Sequence, residues 1–573
     1  MVKWTSAAML CGSIAAAAPA AVVNAASAKN NLIIGINEPN AGWCTQDSPG
    51  IDQVAAKNSV LETLTIVNDK GKMVPYLAKS VEKVGTDNKK WKVVLRDGIK
   101  YSDGSALDAT NVLMNMYAQA GLGPVVFAPA KVQQPSLPAI AWTDLFGSSG
   151  DELTAAYGSL LKGDMKPIGA IKAKVDAAVV VKSATELEFN LGNPRPNFMF
   201  QLWNYGRSAL LSTNSLKSPD CGLTAAATVG TGAFKVKTKG ALGTSTDTVL
   251  EANPNYWRST AKNPLPKSQE ATFRVLGDSA AKVAAVRTNA VDIALFSATE
   301  GTSLNSMKKM GKKVTLYRGP IETSWTIHFN TVPTSGSPFA SQNAREAFAY
   351  ALDVKTYADR MTKGNGQPAY SLAPEIHPYY VKGASKTFNL AKAKAAVEAY
   401  KKETGKSSLD IIVPRTTTSQ SGESGQLICD MMKKAGINCT VGTPMTSTNY
   451  ILAGFGLKQQ LSVFTVASGY YGDFATLFST KTNLELSGFR FTDPALAQCF
   501  ADARAISTRK AYTPCVKTLS QKSIWIPLYL EGGFLAWNKT AQGVGATTLP
   551  GGGARPLING SGFDFASVTK TKG

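Results

Sequence analysis

W-K-V-V-L-R-D-G-I-K-Y-S-D-G, residues 91–104, is the stretch on which the reading of this chain turns. Trp91, Val93 and Leu95 alternate with Lys92, Val94 and Arg96, the period of a strand with one buried face. Asp97-Gly98 supplies a turn, Ile99 and Tyr101 resume the alternation, and Asp103-Gly104 supplies a second turn. Asp108 then stands where a helix N-cap would, ahead of Val112, Leu113, Met116 and Tyr117 at helical spacing. On periodicity alone this is a surface hairpin leading into a packing helix.

Outward from it, the chain alternates strands with helices. Before it come a short apolar run at Asn31 to Asn37, a loop from Glu38 to Gly50, and Val60 to Leu64, read as a helix or strand. After it, a Pro-, Gly- and Ala-rich region from Leu122 to Lys182 gives way to strands over Val179 to Leu191. Phe234 to Lys237 and Val249 to Ala252 read as adjacent antiparallel strands, and Ala271 to Val275, Ser279 to Thr288 and Val291 to Ala294 as strand, helix, strand. A second such region begins at Thr326 to Asn330, with a helix capped by Ser341 expected to continue to Thr362. Leu409 to Val413, Gln426 to Lys434 and Asn438 to Val441 repeat the alternation. Helices at Ala495 to Ala505 and Pro514 to Lys522 and a last strand at Ile524 to Leu530 follow.

The length of 573 residues exceeds what one core can organise and predicts several domains. With 44% hydrophobic and 18% charged residues the composition is that of a globular protein. Lys3 is the one charge before Lys29, and Ala7 to Val23 is apolar and alanine-rich, the pattern of an export signal with Ala26-Ser27-Ala28 as its cleavage site and Val23-Asn24-Ala25 as a second candidate. The run is short and Ala-rich for a membrane span. Cys11 follows Leu10, where lipid attachment requires a small residue.

Six cysteines remain beyond the signal: Cys44, Cys221, Cys429, Cys439, Cys499 and Cys515. An even number in an exported chain favours disulfides. Of the possible pairings, their distribution favours Cys429 with Cys439, Cys499 with Cys515, and Cys44 with Cys221. The formal charge of +21 comes from scattered Lys and Arg with short doublets such as Lys89-Lys90, which argues for a solvated basic surface rather than a nucleic-acid site.

Catalytic signatures are thin. The two histidines, His328 and His377, stand in neither an H-E-x-x-H nor a G-x-S-x-G context, and they give a metal site few ligands. Gly405-Lys406-Ser407 has Tyr400 where a phosphate-cradling loop would carry glycine. No cofactor is expected and the chain is read as a non-enzyme. The alternative from another class is an exported hydrolase using paired carboxylates.

Several blocks, taken in order, resemble one family. The opening stretch, G-T-G-A-F at 230–234 with N-P-N-Y-W at 253–257, V-R-T-N-A-V-D-I-A at 286–294, F-N-T at 329–331 and A-R-E-A-F-A-Y-A-L-D at 344–353 are similar to the extracytoplasmic solute-binding proteins of family 5. That family serves ABC importers of peptides and, in some branches, nickel, haem or oligosaccharides.

The resemblance implies an α/β, two-lobed fold of the periplasmic binding protein type, with mixed sheets flanked by helices, an extra subdomain in the first lobe and a ligand cleft between the lobes. The expected division is a signal over 1–28, first lobe over 29–63, 181–313 and 521–573, an inserted subdomain over 64–180, and second lobe over 314–520. It also implies peptide capture for a membrane permease, outside the cytoplasmic membrane, by a monomer that binds no nucleic acid. Oligosaccharide, haem or a metal chelate remain the alternative ligands.

In peptide-binding members an aspartate late in the second lobe pairs with the ligand's ammonium group, four residues after a glycine. Gly469-Tyr470-Tyr471-Gly472-Asp473 has that spacing, and a shielded ammonium favours a charge-assisted bond. The competing reading of Asp473 is a cap for a helix near Phe474. Asp473 is followed by Phe474-Ala475 where the family pattern carries proline, so the ligand class stays open. Trp43, Trp325, Tyr470 and Tyr471 are the aromatic candidates for the cleft, each with a core role as its competitor.

Overall fold

The computed structural model describes residues 30–571 apart from 38–42, 44–50, 128–141, 149, 204–207, 219, 222–223, 241–245, 322, 376, 447–448, 451–452, 455–457, 468–492, 546, 556–557 and 560–561. Two sheets organise these residues. The first has seven strands in the order Val314–Arg318, Phe534–Asn538, Ile293–Phe296, Asn31–Ile36, Glu270–Val275, Thr248–Ala252, Phe234–Thr238. Its central strand Asn31–Ile36 runs parallel to both neighbours, and the outer pairings are antiparallel. Leu32, Ile34, Phe273, Ile293 and Leu535 are fully or almost fully buried, so central strands covered on both faces read as apolar runs.

The second sheet is Gln367–Pro368, Trp525–Glu531, Thr323–Phe329, Leu461–Ala467, all antiparallel. Beside it lies a parallel pair, Asp410–Thr416 with Asn438–Met445, joined by the helix Ser419–Lys434. Parallel neighbours need such a crossover, and here Cys429 on the helix is bonded to Cys439 on the following strand, with Cα atoms 5.0 Å apart.

The opening stretch builds the inserted subdomain. Lys90–Leu95 lies between Ala78–Val84 and Glu186–Asn190, with Val179–Val181 at the edge, in a four-stranded antiparallel sheet. Trp91, Val93 and Leu95 face the subdomain core, as the alternation requires. Gly98 and Gly104 take φ of 74° and 86°, the left-handed region in which glycine carries no Cβ penalty. Asp108 caps Ala109–Gln119 by accepting from Asn111 N at 2.7 Å. Ile99 to Tyr101 forms only an isolated bridge, Lys100 to Ala106, not the second strand expected.

Three expectations move. The subdomain sheet includes strands at 179–181 and 186–190, so a boundary at 180 would cut it. Val314–Arg318 belongs to the first sheet and Trp525–Glu531 to the second, so the chain crosses once after Arg318 and before Thr323 and again after Glu531 and before Phe534, not at 314 and 521. The single helix expected from Ser341 to Thr362 is two, Gln342–Ala351 and Val354–Thr362, because Leu352 is extended and Asp353 caps the second by accepting from Thr356 N.

Cys499 and Cys515 are bonded between the helices Pro494–Ile506 and Arg509–Gln521. Cys221 is disulfide-bonded, and Cys44, its expected partner, lies outside the described residues. No helix among the described residues is long and apolar enough to cross a membrane.

Candidate functional site: the cleft between the lobes

The two crossovers lie against each other. Gly319 N donates to Gly533 O at 2.8 Å. A Cβ on Gly532 would sit 2.4 Å from Pro320 O and 2.5 Å from Gly319 O, so only glycine permits this approach. Next to them, a Cβ on Gly301, at the start of the first-lobe helix Gly301–Lys309, would sit 2.2 Å from Thr362 O of the second lobe. Lys308 Nζ donates to Asn365 Oδ1 at 2.8 Å across the same seam. Short backbone contacts with no bulky side chain between them give the lobes a pivot.

Beyond the pivot the lobes enclose a cavity of about 580 Å³ lined from both sides. The first lobe contributes Asn37, Gly277, Ser279 and the turn Ser297 to Glu300. In that turn Ser297 N donates to Glu300 Oε2 at 2.8 Å, while Glu300 Oε1 lies 2.7 Å from Nζ of the fully buried Lys282. Lys282 Nζ also donates to Leu295 O at 2.7 Å and sits over the Phe296 ring. The one charged lining group among the described residues is therefore neutralised from behind, which is what a largely buried carboxylate requires.

The second lobe contributes an aromatic wall and a hydroxyl-rich edge. Trp325 stacks on Tyr529 with centroids 5.9 Å apart, and Tyr529 lies 6.4 Å from Tyr357. Tyr357 Oη pairs with Ser424 Oγ at 2.7 Å, and Tyr450 Oη accepts from Val463 N at 2.7 Å. Burial pushes the Tyr357 and Tyr450 phenols up to about 12 and that of Tyr529 well above its usual value, so this wall carries no charge near neutral pH. Along the edge, Thr416, Thr418, Gln420 and Ser421 surround the start of the helix Ser419–Lys434, which Thr418 caps. The arrangement offers flat apolar area and many neutral hydrogen-bonding groups, suited to a polar, uncharged main chain.

Glu531 links wall and turn. It is 2% exposed, its Oε1 accepts from Trp325 Nε1, and its Oε2 accepts from Ala298 N at 2.9 Å. A cavity-lining tryptophan on one lobe is thus tied through a single carboxylate to the turn that lines the other.

Of the residues singled out in the sequence, Trp325 lines this cavity. Trp43 is fully buried in the first-lobe core with Leu32 and Ile34 and is not among the residues lining the cavity. Gly469, Tyr470, Tyr471, Gly472 and Asp473 lie outside the described residues. His328 is fully buried and stacked on Trp525 at 4.5 Å, and burial lowers its pKa to about 3. His377 Nδ1 accepts from Tyr379 N at 3.2 Å. The residues that sequence reading missed are Tyr357, Tyr450 and Tyr529, each at a position that reads as core, and the R-T-T-T-S-Q-S-G-E-S run at 415–424, whose density of hydroxyls between strand and helix was the available signal.

The sequence profile of the bacterial extracellular solute-binding proteins, family 5 Middle, matches residues 72–479. The periplasmic murein peptide-binding protein MppA of Escherichia coli K12 is 23% identical over 351 residues, 61% of this chain and 57% of that protein. The nickel-binding periplasmic protein of the same organism is 26% identical over 357 residues, 61% of this chain and 56% of its own length. The chain thus aligns over a little more than half the length of these curated relatives.

Among solved structures, Listeria monocytogenes OppA bound to peptide superposes with a TM-score of 0.72 at 17% identity, covering 95% of this chain and 100% of that one. The structure of E. coli MppA gives 0.72 at 19% identity, covering 95% and 99%. An unliganded open form of MppA gives 0.60 at the same identity, covering 95% and 98%. These likenesses establish the two-lobed fold.

Proposed function

Since this chain belongs to the bacterial extracellular solute-binding proteins of family 5, we propose that it captures a short peptide between its lobes and hands it to the membrane permease of an ABC importer. The observation that carries the proposal is the 580 Å³ cavity, lined by both lobes and set beyond a glycine-built pivot. Its size lies within the roughly 300–1,000 Å³ usual for small-ligand sites. Closure about the pivot surrounds the ligand, and the apparent affinity depends on how readily the closed form is populated.

The stacked face of Trp325 and Tyr529 supplies contact area for a ligand side chain at small entropic cost. The hydroxyls and backbone around Thr416 to Ser421 pair with a peptide main chain, which recognises a backbone without reading its side chains. In this reading Asp473, with Gly469, Tyr470, Tyr471 and Gly472, holds the ligand's ammonium group. The protein works outside the cytoplasmic membrane, as a monomer and without catalysis.

Native mass spectrometry of the purified protein tests this reading. A non-covalent adduct of peptide mass, released unchanged on denaturation, is expected. Release of cleaved peptides from an added mixture would instead indicate the hydrolase.

A further inference from the structure

Away from the cavity, the inserted subdomain meets the second lobe through a different chemistry. Asp144 lies in a helical turn at 142–145 whose neighbours Trp142 and Phe146 are buried in the subdomain core. Its carboxylate is held by residues of its own lobe. Arg195 Nη2 donates to Oδ2 at 2.5 Å, and Asn193 Nδ2 donates to Oδ1 at 3.4 Å and to the Asp144 carbonyl at 3.0 Å. The second lobe adds a partner 360 residues away, for Arg504 Nη1 donates to the same Oδ2 at 3.0 Å. The side chains of Asp144, Arg195 and Arg504 are 21%, 6% and 14% exposed, so water screens this contact far less than a surface pair.

Both ends of the contact are rigidly mounted. Asp144 is fixed from the subdomain side before Arg504 arrives. Arg504 lies on the helix Pro494–Ile506, which is tied to Arg509–Gln521 by the Cys499–Cys515 bond and capped by Asp493, a residue also paired with Lys522. The two residues sit on opposite sides of the crossovers and away from them, so rotation about the pivot moves one relative to the other.

We propose that Asp144 and Arg504 form a clasp between the inserted subdomain and the second lobe, made when the lobes close and broken when they open. The clasp sets the fraction of ligand-free protein that is closed. Two observations favour a reversible clasp over a permanent strut. Opening leaves Asp144 still paired with Arg195, so no carboxylate is stranded without a cation, the condition that makes breaking a buried pair costly. The lobe arrangement that contains the contact also superposes better on one MppA structure, at 0.72, than on the unliganded open form, at 0.60. The clasp rests on the two-lobed fold and not on which ligand the cleft takes.

The test uses ligand-free, full-length protein and small-angle X-ray scattering. Arg504→Gln is expected to increase the radius of gyration and to lower the closed-to-open ratio by roughly 5-fold, as for a partly shielded ion pair. Raising the salt is expected to open the unaltered protein while leaving Arg504→Gln unchanged. Arg504→Lys, which keeps the charge but loses the planar fork, is expected to lie between them. Should Arg504→Gln also lower the unfolding midpoint, the salt series on the unaltered protein decides. Identical scattering for all three proteins, or a salt response that survives in Arg504→Gln, would overturn the clasp. Because no ligand is added, failure here leaves the peptide-binding reading untouched.

Discussion

Placing a single methyl group at the pivot, Gly532→Ala, disturbs closure with the smallest possible change. The new Cβ would lie 2.4 Å from Pro320 O and 2.5 Å from Gly319 O, both on the opposite crossover. Carbon and oxygen pack no closer than about 3.3 Å, so the crossovers must separate by roughly 0.8–0.9 Å. That displacement acts directly on the Gly319 N to Gly533 O hydrogen bond, now 2.8 Å. Overpacking of this kind costs about 1–3 kcal/mol and loss of the hydrogen bond about 1 more, giving an expected destabilisation of about 2–4 kcal/mol. The strain falls on the two strands that cross between lobes, so the open-to-closed equilibrium should change together with stability. Urea unfolding measures the first and small-angle scattering with and without a tripeptide mixture measures the second. Gly532→Ala with unaltered unfolding midpoint and unaltered scattering would refute the pivot.

Three further outcomes follow from buried groups. His328 is neutral in the fold because burial lowers its pKa from 6.5 to about 3, whereas the unfolded chain takes up a proton below pH 6.5. Its contribution is fully present above pH 6.5 and is lost as pH falls towards 3, by on the order of 5 kcal/mol at the end, and His328→Phe should flatten the stability profile across that window in urea titrations. Arg345, 4% exposed, donates to Phe339 O, Ala340 O and Lys522 O at 2.7, 3.0 and 3.1 Å. Arg345→Met leaves three carbonyls to find other donors and should cost about 3–5 kcal/mol by chemical denaturation, with little effect on ligand selectivity. Reducing Cys429–Cys439 and Cys499–Cys515, separated by 10 and 16 residues, should cost about 3 kcal/mol each, and thiol alkylation with peptide mapping before and after reduction should report both pairs.

How much was legible before the structure depended on whether the signal was local. The strand Lys90–Leu95, the Asp108 and Ser341 caps and the two described disulfides follow from alternation, capping chemistry and cysteine placement within short windows. The helix break at Leu352-Asp353 was hidden because Asp353 falls on a strong helical periodicity, and its role as a second cap shows only in the backbone. The crossovers were hidden for a different reason. Gly319-Pro320 and Gly532-Gly533 look like ordinary turns, and their mutual approach joins segments more than 200 residues apart. Trp325 was singled out only as an aromatic suited to a cleft, as Trp43 was, and the fold alone separates the two, whereas Tyr357 and Tyr529 are indistinguishable from core by pattern. Asp144 and Arg504 belong to stretches with no motif, so pairing across lobes could come only from the fold.

The most direct test of ligand capture between the lobes is retention of a random tripeptide mixture, with retained peptides eluted under denaturing conditions and identified by mass. Native protein should retain peptides and release them uncleaved, and Trp325→Ala should retain several-fold less, because it removes the stacked face against Tyr529 and the bond to Glu531. Cleaved products, no retention at all, or retention by Trp325→Ala equal to that of the native protein would contradict the account.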